Sequence, residues 1–164
     1  MKKPLLILLG VMILVVSGLI WWFSDAEVIK RRTEALAESL TVASTDGKSA
    51  RLSKTQDFSS LLADSVTCTV DVEDYKAEFG HDDLQSAHHM MVHNCGSSTA
   101  KVSQLQLTMV SDDEASVTAS LLLALTEKDG TPHGEACKAV LVWRKDGAGK
   151  WRLDSMVIQG ETDG

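Results

Sequence analysis

The residues from Leu5 to Phe23 form a run of 19 without a single charge, and this run constrains the chain more than any other feature. At about 1.5 Å of rise per residue it reaches about 28 Å as a helix, close to the hydrocarbon thickness of a bilayer. A backbone placed in lipid has to satisfy its own N–H and C=O groups, so the run is expected to be helical. Trp21 and Trp22 stand at its far end, where indole rings favour the membrane–water boundary. The cations on either side, Lys2 and Lys3 against Lys30, Arg31 and Arg32, do not by themselves decide orientation. A short Lys-Lys start ahead of an apolar run is also the pattern of an export signal, which favours an internal N-terminus. Cleavage after Val16-Ser17-Gly18 is the competing reading, but it would leave Leu19-Ile20-Trp21-Trp22-Phe23 bare at a new N-terminus. The expected organisation is therefore a short cytoplasmic N-terminus (1–4), a transmembrane signal anchor (5–23), one domain (24–160) and a polar tail (161–164). The expected location is a bacterial inner membrane, with the domain periplasmic or extracellular.

Charge narrows the partners of that domain. The whole chain carries −7. Without Lys2 and Lys3, 14 basic residues face 23 acidic ones, so the part beyond the anchor carries −9. Such a surface repels phosphate backbones, and no basic stripe with interleaved aromatics occurs, so no nucleic-acid partner is expected. Cys68, Cys95 and Cys137 sit among apolar neighbours and read as small buried hydrophobes, with one disulfide as the alternative. No Cys-x-x-Cys is present, and neither a metal site nor a cofactor is expected.

Local patterning then sets the elements. Ser24-Asp25-Ala26-Glu27 is a capping box that opens a helix to about Val42, with Ile29, Leu36, Leu40 and Ala43 on one side. Ser44–Lys54 reads as a loop. Ser53-Lys54-Thr55-Gln56 opens a short helix that turns Phe58, Leu61 and Leu62 inward. Val66, Cys68, Val70 and Val72 alternate with polar residues as a half-buried strand. Asp82 is placed as the N-cap of a third helix with an inward stripe of Leu84, His88, Met91 and Cys95, ended by a left-handed Gly96. From Ala100 the period becomes two, and short polar turns at Asp112-Asp113-Glu114, Lys128–Pro132 and Lys145–Lys150 separate four strands. Helices segregated against one antiparallel meander define the α+β class.

Three features carry a resemblance: that element order, the Leu61-Leu62-Ala63-Asp64-Ser65-Val66 passage from helix to strand, and the ending Val140-Leu141-Val142-Trp143-Arg144, Gly turn, Lys150-Trp151-Arg152-Leu153. Over roughly residues 25–160 the chain resembles the nuclear transport factor 2-like superfamily, which includes ketosteroid isomerase-like and SnoaL-like domains. The resemblance implies a curved antiparallel sheet wrapped round helices as a cone-shaped α+β barrel with an interior cavity. It implies either chemistry on a small apolar molecule or a non-catalytic assembly role, commonly with dimers formed through the outer sheet face. A bacterial secretion-system scaffold component of the superfamily also joins an N-terminal membrane helix to an exported domain.

The candidate residues derive from this frame. His88 lies on the inward stripe, and an inward imidazole can act as acid, base or ligand donor. Tyr75, the only tyrosine, comes after the first strand at what would be the cavity rim. With Met91 and Trp143 these make up the expected ligand pocket. No carboxylate matches the base of the superfamily's isomerases, because Asp71 and Asp154 fall on polar faces. His89 and His93 share an i, i+4 spacing but lack a third ligand, and they read as solvent-facing. Leu121–Leu125 and Val140–Trp143 are apolar on both faces, which calls for a covered outer face at Leu122, Val140 and Val142. The leading expectation is a membrane-anchored exported binding or assembly module without catalytic activity, forming a homodimer or meeting a protein partner through the sheet. The alternative is an enzyme or carrier for a small apolar ligand, of isomerase, dehydratase or hydrolase type.

Overall fold

The computed structural model of the chain describes residues 2–22, 24–71 and 74–160, with side chains from residue 10 onward except at 21 and 22. The interface role expected of Trp21 and Trp22, the strand position of Val72 and the tail 161–164 thus lie outside the described residues or side chains. The first element is helix α1, Lys2–Trp22. Its described apolar side chains, from Val11 to Ile20, are exposed, Leu14 by 74%. Among the described residues no single helix is long and apolar enough to cross a membrane. Only the pair Gly10–Ile20 and Asp25–Ser39 reaches that length and composition together, with a bend of 55°.

Helix α2, Asp25–Ser39, starts as its sequence dictates: the Ser24 hydroxyl oxygen accepts from the Glu27 amide at 3.4 Å. The Glu27 carboxylate does not close the box. It pairs with Lys30 at 2.9 Å instead. The helix stops three residues before Val42 because residues 41–43 leave it to extend the sheet. Val42 exchanges backbone hydrogen bonds with Ser98 (2.8 and 2.9 Å), and Thr41 Oγ1 accepts from the Ala100 amide at 3.0 Å.

Helix α3, Lys48–Ser59, begins well before the expected Ser53 cap, and Ser53 is an exposed mid-helix residue. The tie that holds this polar first turn is distant in sequence. The Arg51 guanidinium donates to the carbonyls of Val92, in the last turn of the following helix (81–94), and of Cys95 (3.0 Å) and Gly96 (3.3 Å), the two residues just beyond that helix. Helix α4, His81–Asn94, starts directly after Gly80 rather than at an Asp82 cap. Its buried residues are His88 and Val92, continued by Cys95, while Met91 is half-buried. Cys137 is also buried and Cys68 half-buried, and burial pushes the Cys68 thiol up.

The six strands are β1 (Leu62–Val70), β2 (Tyr75–Gly80), β3 (Cys95–Met109), β4 (Glu114–Glu127), β5 (Pro132–Lys145) and β6 (Trp151–Gly160), in the order β2-β1-β6-β5-β4-β3. Two expectations need correction here. The expected element order has no strand at β2, although Tyr75, Ala77 and Phe79 alternate with Lys76 and Glu78; β2 forms a hairpin with β1 through Asp74 at φ 49°. The sheet is also mixed rather than antiparallel, because β1 runs parallel to β6. The β3–β6 meander leaves β6 with one free edge. Strand β1 joins that edge, and Leu153 donates its amide to the Leu61 carbonyl at 2.8 Å at the start of the parallel pairing.

Gly96 does not end α4 in a left-handed turn; it is part of β3. A Cβ at Gly96 would stand 2.8 Å from the Glu127 carbonyl oxygen and 3.1 Å from that of Thr126. The position demands glycine because a backbone passes there, not because of its dihedrals. The core lies between the helices and the inner face of the sheet: Ile29, Leu36, Leu61, Leu62, Val66, Val117, Leu141, Trp143, Trp151 and Leu153 are all buried. A smaller cluster of Val42, Val92 and Cys95 closes the far end.

Candidate functional site

Residue alternation along β4 and β5 separates two surfaces that function could use. On the inner face Ala115, Val117, Ala119, Ala139, Leu141 and Trp143 are buried. Trp143 is fully inaccessible, and its indole Nε1 has no hydrogen-bond partner. A buried donor left in that state costs about 1–3 kcal/mol.

His88 projects from α4 into the junction of the three domain helices. Its Nε2 lies 3.0 Å from the Ser39 carbonyl oxygen, which can only accept, so Nε2 carries the proton. Its Nδ1 then faces the Thr55 hydroxyl at 3.3 Å, whose one proton is shared with the Arg51 carbonyl at 3.4 Å. Phe58 stacks on the ring with centroids 4.3 Å apart. Burial pushes the His88 pKa down, against the smaller upward pull of the Ser39 carbonyl, so the imidazole is held neutral. This is a histidine with both nitrogens engaged. The signal for it, an inward position on an amphipathic helix, was present in the sequence, but the identity of its partners was not.

The four residues expected to share a pocket occupy separate surroundings. His88 is clamped between helices, Met91 packs on the Val42–Val92–Cys95 cluster, and Trp143 belongs to the main core. Tyr75 opens β2 opposite Val70 and is 47% exposed. His89 is exposed, and its ring centroid lies 4.2 Å from that of His93. His93 is only half-exposed, and its Nε2 has no partner. Burial first, then His89 and Arg51, pushes the His93 pKa down. Among the described residues no group of three His, Cys, Asp or Glu side chains is arranged to hold a metal ion.

One arrangement was not visible in the sequence. Ser59 Oγ lies 3.0 Å from His81 Nε2, and His81 Nδ1 lies 3.3 Å from Asp82 Oδ1. These are the residue types of a nucleophile, base and orienting acid. The same Nε2, however, is 3.1 Å from the Ser59 carbonyl oxygen, an obligate acceptor, so it carries a proton and is no base for Ser59. The Asp82 side chain is 99% exposed. His81 therefore caps the Ser59 carbonyl at the C-terminus of α3 from the first position of α4.

On the outer face Leu122, Val140 and Val142 lie together with Ser116 and Thr118 across the β4–β5 pairing. Ser155 and Val157 of β6 and Thr67 and Thr69 of β1 continue the surface. Leu122 is 52% exposed, while Val140 and Val142 are half-buried. The middle of this face is uncharged. Lys76 and Glu78 on β2, Lys138 on β5 and Lys101 on β3 stand toward its margins.

Comparison with known proteins places the fold. No protein family profile matches the sequence, and no characterised protein matches it by sequence. Solved structures do match. One is an NTF2-like protein with a cystatin-like fold from Novosphingobium aromaticivorans, at a TM-score of 0.62 and 14% identity over 91% of this chain and 90% of that one. A protein from the same organism, provisionally named an aromatic ring hydroxylase, aligns at a TM-score of 0.67 and 14% identity over 84% of this chain and 90% of that one. The association domain of C. elegans CaMKII aligns at 0.59 and 15% identity over 85% of this chain and 98% of that one. The chain has the nuclear transport factor 2-like, cystatin-like fold: α+β, with helices packed on a curved mixed sheet.

Proposed function

We propose that this protein is a membrane-tethered assembly module, held by α1 in a bacterial inner membrane with its domain exported and self-associated through the outer face of the sheet. The observation that carries the reading is that face: its middle is built of Val140, Val142, Val157, Thr67, Thr69 and Thr118, uncharged and, among the described residues, left half-buried or exposed. A face of this kind buries well against a second copy of itself about a twofold axis. The similarity to an association domain is consistent with such use of the fold. The exposed apolar side chains of α1 supply the argument for the tether, since water is a poor solvent for Leu14 and its neighbours. Inside the domain, large side chains fill the space between helices and sheet, and His88 already spends both nitrogens on protein partners.

The test uses the full chain in detergent micelles. Light scattering after size exclusion should report a dimer or larger assembly, and Val140→Glu should convert it to a monomer with unchanged circular dichroism. A monomeric wild-type chain, or a Val140→Glu variant that assembles as before, removes the reading. A reporter fused after residue 160 that is active only in the cytoplasm would reverse the topology.

A second reading is favoured by one observation, the unpartnered Trp143 Nε1 in the core. An enzyme or carrier for a small apolar molecule would offer that donor to an acceptor atom of its ligand, and the fold is shared with a protein provisionally named a hydroxylase. Quenching or shift of Trp143 fluorescence by a carbonyl-bearing apolar ligand, lost in Trp143→Phe, would carry it.

A further inference from the structure

A cleft of about 740 Å³ lies between the end of α3, the start of β1 and the β5–β6 turn. It exists because β1 parts from β6. Leu62 pairs with Leu153 and pairing resumes only at Thr67 with Ser155, so residues 63–66 of β1 stand opposite Asp154 alone. Strand β5 slips at the same place, pairing Val142 with Ser155 and Trp143 with Leu153. Asp154 is therefore skipped by both neighbouring strands, and it lines the cleft with Ala63, Asp64 and Ser65. A double slip within the middle of a sheet gives up ladder hydrogen bonds, and bulges of this kind re-aim side chains into sites.

The charges in the cleft are of both signs. Arg144 bonds Glu114 at 2.8 Å and Asp154 at 3.3 Å. Arg152 bonds Asp146 at 3.1 Å and also donates to the Ser60 carbonyl. Asp64 lines the same space, is exposed, and takes no part in these pairs. A simple anion could engage Arg144 only by drawing it from Asp154, whose carboxylate would then lose that partner. A ligand that brings an amine along with its anion replaces that partner: the anionic end meets Arg144 and Arg152, the amine meets Asp154 and Asp64, and Asp146 keeps the backbone amides of Ala148 and Lys150 at 2.9 Å. The volume suits a compact ligand.

We infer that this cleft binds a small zwitterion, with an amine and a phosphate or carboxylate a few bonds apart. The zwitterion is either a free compound or the headgroup of a lipid. The second source rests on the anchored reading above: Lys145, also in the lining, holds Asp25 at 2.9 Å, three residues past the end of α1.

The experiment titrates the full chain in detergent micelles with O-phosphoethanolamine and, separately, inorganic phosphate, monitored by saturation-transfer NMR. Phosphoethanolamine should bind saturably and about tenfold tighter than phosphate, the worth of one charge-assisted hydrogen bond. Asp64→Asn should erase that difference, and Ala63→Trp should abolish binding of both by filling the cleft. Absence of saturable binding, equal affinity for the two probes, or binding that neither substitution alters overturns the proposal. Asp64→Asn decides the matter even if Ala63→Trp fails to fold, because Asp64 is exposed. Nanodiscs with and without phosphatidylethanolamine then separate the sources: a headgroup ligand weakens binding of the free probe, and a free ligand leaves it unchanged. A chain that is not recovered with the nanodiscs breaks the anchored reading and leaves the micelle result standing.

Discussion

The two faces of the β4–β5–β6 region use the same backbone for opposite ends. Inward, Val117, Leu141, Trp143 and Leu153 are buried against the helices, and each is 3% exposed or less. Outward, at the alternate positions, Ser116, Thr118, Val140, Val142 and Ser155 are short or β-branched and half-buried or exposed. The inner set is large and irregular in shape, so it has to fit its helices. The outer set is small and uniform, so it makes a surface that can be shared. Hydrophobicity alone does not mark the core here. Val140 and Leu141 are neighbours of similar character, and only the pleat assigns one to folding and the other to the outside.

Substitutions can break that contrast at several strengths. Leu141→Ala on the inner face should lower the unfolding free energy by about 3 kcal/mol, since buried Leu→Ala changes remove transfer energy and leave a cavity; urea titration of the full chain checks it. Gly96→Ala tests the close approach of β3 to β4 where their register shifts. A Cβ 2.8 Å from the Glu127 carbonyl oxygen has to push backbone aside, and a loss of about 1–3 kcal/mol by the same titration is expected. A glycine needed only for chain flexibility would instead gain stability on that change. Val142→Lys, at an outer position, should move unfolding by less than about 1 kcal/mol while it disrupts association in light scattering. If it destabilises as Leu141→Ala does, the two faces are not separate in role.

The smallest effect is one of pH. His88 has a folded pKa below its unfolded value, so the folded state resists its protonation. Its stabilising contribution is complete above the unfolded pKa of about 6.5 and is lost as pH falls from there toward the depressed folded value. The urea midpoint of the wild type should therefore fall through that window, and His88→Gln should flatten the decline. Asp25 acts in a separate and lower window. Its pKa is lowered by the Trp151 indole N–H at 2.8 Å and then by Lys145, so its contribution is present above about 3.9 and lost below.

How much is legible in the sequence depends on how local the cause is. The alternation of β3 to β6, the Ser24 cap and the inward place of His88 rest on neighbours within a few residues, and each appears in the structure. Strand β2 is legible too, in the alternation of Tyr75, Ala77 and Phe79, but a single short run beside Gly80 is easily taken for a loop. The start of α3 is not legible, because Arg51 finds its acceptors on Val92, Cys95 and Gly96 more than forty residues away. The same holds for the candidate pocket. Tyr75, His88, Met91 and Trp143 each have a plausible residue type, yet helix rotation and strand order send them to different surroundings.

The apolar first helix, the acidic balance of the domain beyond it and the α+β order of elements follow from composition and periodicity, which act through nearest neighbours. The parallel pairing of β1 with β6, the need for glycine at 96 beside the Glu127 carbonyl and the place of Asp154 between two slipped strands arise in the assembled chain. Those outcomes depend on which distant edges meet, and loop closure between distant segments leaves no periodic trace in the residues it joins.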